Sequence, residues 1–296
     1  MTERALQTAI RECNTHGIRY TERQLFYAYA GQRQQTSQVW RRGLVGLVPI
    51  VAAQMLRRPA WGILGAMVVV GANRLQGAPR LRISPDEFER QRAAYVRHHG
   101  PPSGLLDDLT PPQPHHGPPS EPDLRDYAIP AALICQDADI AAMLLANDMH
   151  VRFACAVVTD PIPPEVLAML ARADEPRLYA LHDASLEGLE WAYQLPAKYD
   201  VPLVAVGLRP AHAQRLQLLC QTSVASPADA PTWHTYYLSS AERTWLEAGY
   251  RAELAAVPPG DLLAQLERVL TRGAVSLLPR EGRLAKITRL LLGKLG

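Results

Sequence analysis

The chain has 296 residues, of which 48% are hydrophobic, so it can bury one large core or two smaller ones. Its four cysteines form no Cys-x-x-Cys pair, which argues against a structural zinc site. The N-terminus is charged from its third residue and does not resemble a signal peptide. We therefore expect a protein of the reducing cytoplasm.

The formal net charge of +2 conceals a strong asymmetry along the chain. Residues 1–100 carry a net charge of +9, residues 101–279 carry −11, and residues 280–296 carry +4. Two interpretations stay open. The basic ends contact a polyanion, or they reflect an arginine-rich composition without a specific partner.

The first part of the chain favours helices. Residues 2–15 carry apolar side chains on one face, and Thr21 is placed to cap a second helix over 22–30 that Gly31 would end. A helix, a short extended piece and a second helix are how a winged helix-turn-helix begins. Residues 1–40 are therefore interpreted as a partial winged-helix-like segment.

Residues 41–98 are predicted to form a hydrophobic helical hairpin followed by a basic helix. Two apolar runs of 14 and 15 residues lie within 43–73, on either side of Arg57-Arg58. Each run is shorter than the roughly 20 residues that a membrane-spanning helix needs. One continuous span would bury both arginines, at about 2.5–3.5 kcal/mol each. We predict two short helices, which form a buried pair in a soluble core or lie on the inner face of a membrane.

Residues 99–125 are rich in Pro, Gly and His, and this composition predicts a linker. Over residues 126–275, four βα patterns follow one another and predict a Rossmann-like parallel sheet with helices on both faces. The chemistry of such sheets lies at the carboxyl ends of their strands. Polar or acidic pairs follow three of the predicted strands: Gln136-Asp137, Thr159-Asp160 and His182-Asp183.

Segments of this domain resemble, in chain order, motifs of the Toprim domain of the topoisomerase VI A subunit family and its bacterial relatives. The strand that ends at Cys135 and the Asp183-x-Ser185 turn before Gly188 resemble the two strand ends that carry acids in the family. The other matching segments are Val158–Pro163, Val204–Pro210 and Gly249–Val257. The element from Thr21 to Tyr27 resembles one in the family's winged-helix domain. The resemblance implies an α/β Toprim fold and DNA as the substrate class.

The resemblance also implies a Mg²⁺ site of three carboxylates. Only Asp183 remains of the three, because Cys135 and Ser185 occupy the other two positions. Other acids near the same strand ends are the candidate replacement ligands, and they are Asp137, Asp160 and Glu187. Glu187 also suits the start of a helix through its charge alone.

Tyr27 stands where the strand-cleaving members of the family carry their nucleophile, and it also suits a place in the core. Arg23, four residues earlier, is a candidate contact for nucleic acid. So are Arg283, Lys286 and Arg289 in a predicted basic amphipathic helix over 276–296. Such a helix can dock on its own domain, on a membrane surface or on a phosphate backbone.

Taken together, these patterns favour a catalytically degenerate Toprim-like protein, a non-catalytic DNA-associated binding or assembly subunit without a resident cofactor. A protein partner or a second copy of the chain is expected. Two alternatives stay open. One is a divergent Mg²⁺-dependent nuclease or topoisomerase-like subunit. The other is a scaffold attached to a membrane surface through 43–73.

Overall fold

The computed structural model describes residues 2–34, 79–106, 128–199, 201–222 and 238–272. The predicted helical pair at 43–73 and the predicted basic helix with Arg283, Lys286 and Arg289 lie outside the described residues. So does the linker from residue 107 onward.

Three helices form the N-terminal part of the described structure: α1 (Thr2–Cys13), α2 (22–34) and α3 (Pro85–His99). Thr21 and Gln24 cap α2 reciprocally, through Gln24 N to Thr21 Oγ1 at 3.2 Å and Thr21 N to Gln24 Oε1 at 3.0 Å. The expectation that Gly31 ends α2 is wrong, since the helix continues to residue 34. The burial of Tyr29 and Ala30 outweighs the roughly 1 kcal/mol that glycine costs inside a helix.

The second part of the structure is an α/β unit with a four-stranded parallel sheet in the order β2-β1-β3-β4. The predicted alternation of strands and helices is confirmed. Its elements in chain order are β1 (Ala131–Cys135), α4 (Ala138–Ala146), α5 (Met149–Arg152), β2 (Cys155–Thr159), α6 (Pro164–Ala171), β3 (Arg177–Leu181), α7 (Leu186–Tyr199), β4 (Leu203–Ala205) and α8 (Pro210–Arg215).

Strands β1 and β3, whose ends carry the two motif segments, are direct neighbours. They pair in parallel with Cys135 opposite Leu181. Because parallel strands end at the same edge, the residues that follow Cys135 and those that follow Leu181 emerge side by side. This carboxyl edge of β1 and β3 carries the candidate site.

The sheet buries both of its faces, since alternate residues of a strand point to opposite sides. Ala132 and Ile134 pack toward α6 and α7 in one cluster. Leu133 and Cys135 belong to a larger cluster that also contains Leu25 and other buried residues of α1, α2 and α3. The N-terminal helices and this face of the sheet therefore share one continuous hydrophobic core.

The C-terminal described elements are β5 (Gln221–Thr222), α9 (Ser240–Glu247), β6 (Tyr250–Arg251) and α10 (Pro259–Arg272). β5 and β6 pair antiparallel. Directly after β6, Ala252 exchanges two main-chain hydrogen bonds with Ala184, at 2.9 and 3.1 Å. This bridge brings Glu253 and Leu254 to the end of β3.

The first residues of the predicted linker are structured, in contrast to the expectation for 99–125. Leu105 is buried and forms a parallel bridge with Tyr20, with hydrogen bonds at 3.0 Å from Tyr20 N to Gly104 O and from Leu106 N to Tyr20 O. Pairing with the α1–α2 connection satisfies the backbone hydrogen-bonding groups of residues 104–106. The composition of the segment alone does not indicate this pairing. None of the helices within the described ranges combines the length and the apolar character needed to cross a bilayer.

Candidate functional site

A glycine makes the close turn at the end of β3 sterically feasible. A Cβ on Gly188 would lie 2.7 Å from Asp183 O and 2.8 Å from Gln136 Oε1. Gln136 Oε1 accepts a hydrogen bond from Asp183 N at 3.0 Å, which links the end of β1 to the end of β3. The glycine of the strand-end motif is thus required by close backbone approach.

Asp183 faces the segment that follows β6. Its Oδ1 accepts a hydrogen bond from Leu254 N at 2.7 Å. Burial raises the pKa of Asp183 to about 6 against the opposing effect of this bond, and the nearby Glu253 and Asp137 raise it further. One oxygen of this carboxyl group is therefore already bound by the main chain, and the group is only partly ionised near pH 6.

Arg23 joins two other carboxylates at the same edge. Its Nη1 lies 3.1 Å from Asp137 Oδ2 and its Nη2 lies 2.9 Å from Glu253 Oε2. Asp137 is also the N-cap of α4, where its Oδ1 accepts from Asp139 N at 2.8 Å. The guanidinium proposed from sequence as a nucleic-acid contact thus faces carboxylates of its own chain, with 46% of the side chain still exposed.

Tyr27 belongs to the same hydrogen-bonded network. Its hydroxyl lies 2.7 Å from Gln221 Nε2, which also donates to Glu253 Oε1 at 3.0 Å. Burial raises the pKa of Tyr27 well above its usual range, and the negative charge of Glu253 adds to this effect. The phenol is therefore a poor nucleophile in this arrangement, because attack needs the deprotonated oxygen.

Cys135 and Ser185 stand where the resemblance implies two further carboxylates. In this structure both side chains have structural roles. Cys135 is 1% exposed, and burial raises the pKa of its thiol far above neutral, so the group is an apolar side chain. Ser185 caps α7, since its Oγ accepts a hydrogen bond from Gly188 N at 3.0 Å.

The other two candidate ligands are directed elsewhere. Asp160 accepts hydrogen bonds from Lys198 Nζ at 2.8 and 3.0 Å and from the hydroxyl of Tyr199. Burial opposes ionisation of Asp160, but these donors hold its pKa below the usual range. Glu187 is exposed in the first turn of α7, where its charge suits the helix dipole.

The donor set does not fit Mg²⁺. Within the ranges that the structure describes, no three His, Cys, Asp or Glu side chains stand close enough to hold a metal ion together. Mg²⁺ requires near-octahedral oxygen ligands with carboxylate charge. Here Asp183 accepts a main-chain N–H, and Asp137 and Glu253 are joined by a guanidinium.

The sequence interpretation missed Glu253 and Gln221 as members of this site. A signal for Glu253 was present, because Gly249–Val257 resembles the family's Lys-Ala-Glu signature. No local pattern marks Gln221, which comes from β5 and reaches Tyr27 across 194 residues of sequence.

A cleft lies on the other side of Tyr27, between α2, the turn after α8 and the start of α10. Its volume is about 440 Å³, and its walls include Gln24, Gln217 and Gln265. Comparison with protein-family models gives no match, and comparison with curated proteins gives none either. The strand order and the geometry at the carboxyl edge are therefore the structural basis for a proposal of function.

Proposed function

We propose that this chain is a Toprim-like protein with a degenerate metal site, and that it acts as a non-catalytic DNA-associated binding or assembly subunit. The observation that carries the proposal is the state of the retained carboxylate. Asp183 is bound by the N–H of Leu254, and Ser185 caps a helix where a second acid would be needed. An edge arranged in this way supports a folded scaffold rather than phosphodiester cleavage.

Exposed arginines on the N-terminal helices support nucleic acid as the partner. Arg4 and Arg11 are both exposed and lie seven residues apart on α1, so they share one face. Arg90 and Arg97 repeat this spacing on α3 and are exposed as well. Guanidinium groups on one face suit the regular negative charge of a phosphate backbone.

The test for cleavage uses supercoiled plasmid with Mg²⁺ or Mn²⁺ and the full chain. We expect no nicking above the background of a chelator control. Nicking that disappears in Asp183→Ala would refute the proposal and favour the divergent nuclease instead.

The test for binding is fluorescence anisotropy of a labelled DNA duplex over a salt series. We expect weak binding that loses about 0.9 log units of affinity per log unit of salt for each phosphate contacted. Arg4→Ala with Arg11→Ala should lower that slope by roughly 2. Arg268→Ala, an exposed arginine on α10, is the matched control and should leave the slope unchanged.

A chain ending before Arg280 separates the contribution of the C-terminal basic residues. Absence of binding even at low salt would remove DNA as the partner.

A further inference from the structure

Arg23 occupies a position between carboxylates that three separate parts of the chain supply. Asp137 follows β1, Asp183 follows β3, and Glu253 follows β6. Arg23 comes from α2 and contacts Asp137 and Glu253 through different nitrogens, at 3.1 and 2.9 Å. Its positive charge also acts on Asp183, whose pKa it lowers against the stronger effect of burial.

The burial of these acids requires a cation nearby. The side chain of Glu253 is 9% exposed and that of Asp137 is 16% exposed. Buried carboxylates without a counter-charge are strongly destabilising. Of the charged side chains described around this edge, Arg251 donates to Gln221 Oε1, while Arg23 contacts the carboxylates directly.

The chemistry of arginine suits this position better than that of lysine. A guanidinium is planar, always charged, and presents its N–H groups as a rigid fork. Two carboxylates on opposite sides can therefore each contact a different terminal nitrogen: Nη1 donates a hydrogen bond to Asp137 Oδ2, and Nη2 forms an ion pair with Glu253 Oε2. An ammonium group is a single point charge and does not span two partners with the same fixed geometry.

We propose that Arg23 is a built-in cation that takes the place of a divalent metal at this edge of the sheet. Because it comes from α2, it also fastens the N-terminal helices onto the α/β unit. The proposal shares with the proposed function the loss of the metal site, but it does not depend on binding to DNA.

The same carboxylate, Glu253, links Arg23 to Tyr27. Tyr27 lies four residues after Arg23 on α2, so both side chains lie on one face of the helix. Both reach Glu253, Arg23 through the ion pair and Tyr27 through Gln221. Arg23 and Tyr27 therefore belong to one network of contacts around Glu253.

The experiment compares Arg23→Met with Arg33→Met by thermal unfolding of the full chain, with and without millimolar Mg²⁺ or Mn²⁺. Arg33 lies on the same helix and pairs with Glu87 at 3.2 Å, and both side chains are about one-third exposed. Without metal, Arg23→Met should lower Tm by several degrees more than Arg33→Met. Without the guanidinium, the excess negative charge at the edge should attract a divalent cation, so added metal should raise the Tm of Arg23→Met and should leave that of the wild type and of Arg33→Met unchanged.

A second variant removes the charge that Arg23 neutralises. Arg23→Met with Glu253→Gln should recover much of the lost Tm and should no longer respond to metal. Equal metal responses of wild type and Arg23→Met, or no response of either, would overturn the proposal. If Arg23→Met fails to fold, added Mn²⁺ or Glu253→Gln should restore folding, and failure of both would overturn it as well. Plasmid nicking by the wild type would instead count against the proposed function, so the two ideas fail separately.

Discussion

The arginine–glutamate pairs Arg209–Glu242 and Arg23–Glu253 look alike but differ in how the carboxylate is bound. Arg209 donates to both oxygens of Glu242, at 3.1 and 2.9 Å, and the carboxylate is also the N3 partner of the capping box of Ser239. Arg23 instead contacts Glu253 through one terminal nitrogen and Asp137 through the other.

The difference lies in how completely each carboxylate is satisfied. Glu242 receives Arg209 on both oxygens and Ser239 N and Oγ on one, so its acceptor capacity is filled from its own surroundings. Burial opposes ionisation of Glu242, yet these donors hold its pKa below the usual range. At the sheet edge one guanidinium contacts both Asp137 and Glu253, and Asp183 is a third acid nearby. The first pair is a closed structural unit, whereas the second retains an excess of negative charge.

The largest effect is expected from breaking the closed unit. Glu242→Gln should lower the free energy of unfolding by roughly 3 kcal/mol, because Arg209 would keep a partly buried charge without a carboxylate. Glu253→Gln should cost no more than about 1 kcal/mol, since Arg23 keeps Asp137 and the excess of negative charge falls. Chemical denaturation measures both. The comparison fails if Glu253→Gln is the more damaging of the two.

Glu247→Gln is the matched control for that measurement. Glu247 lies on the same helix as Glu242 and is exposed. Its substitution should change the free energy of unfolding by less than about 0.5 kcal/mol.

A second prediction concerns the pH dependence of stability at the sheet edge. The folded-state pKa of Asp183 is raised to about 6, so the folded chain holds this proton more tightly than the unfolded chain does. Stability from this group is then lost as pH rises from about 4 to about 6. Asp183→Asn removes the cost of ionising a buried group and keeps an oxygen for Leu254 N.

We therefore expect Asp183→Asn to match the wild type below about pH 4 and to exceed its stability by about 1–3 kcal/mol at pH 7. Denaturant unfolding across this pH range measures the gap. Asp148→Asn, at an exposed left-handed position, is the matched control for this measurement. A gap for Asp183→Asn that shrinks as pH rises would contradict the assigned direction of the shift.

A small effect is expected at Ser185. Ser185→Ala should cost about 1 kcal/mol through loss of the cap on α7, whereas Ser185→Asn should be nearly neutral because asparagine caps as well. Thermal unfolding distinguishes the two substitutions. Equal losses for both would show that Ser185 contributes through packing rather than through its bond to Gly188 N.

The sheet could be predicted because its signals are local. Each strand is a short apolar run, and the pairs Gln136-Asp137 and His182-Asp183 directly follow β1 and β3, as predicted. The end of α8 at Arg215 could not be predicted, since Gln217 adopts a left-handed conformation with φ of 54° that no neighbouring residue indicates.

The site could be predicted only in part. The positions of Asp183 and Cys135 on neighbouring strands follow from strand-end patterns. The contact of Arg23 with Glu253 joins residues 230 positions apart, and no periodicity or spacing encodes such a pair. Arg23 therefore looked like a free basic side chain until the fold showed the acids opposite it.

One contact at the rim of the N-terminal helices concerns the topology of the chain. Gln34 Nε2 donates to Arg80 O at 3.0 Å, so the polypeptide leaves at Gln34 and re-enters at Pro79 within the reach of one side chain. Leu81 N and Cys220 N then pair with Cys220 O and Pro79 O, at 2.8 Å each, and hold the re-entry point to the α/β unit. Because each extended residue spans up to about 3.3–3.6 Å, a linker of a few residues is long enough to join these two points. The two ends of the 35–78 segment thus lie close together, so replacement of that segment by a short linker would leave the path of the described chain unchanged.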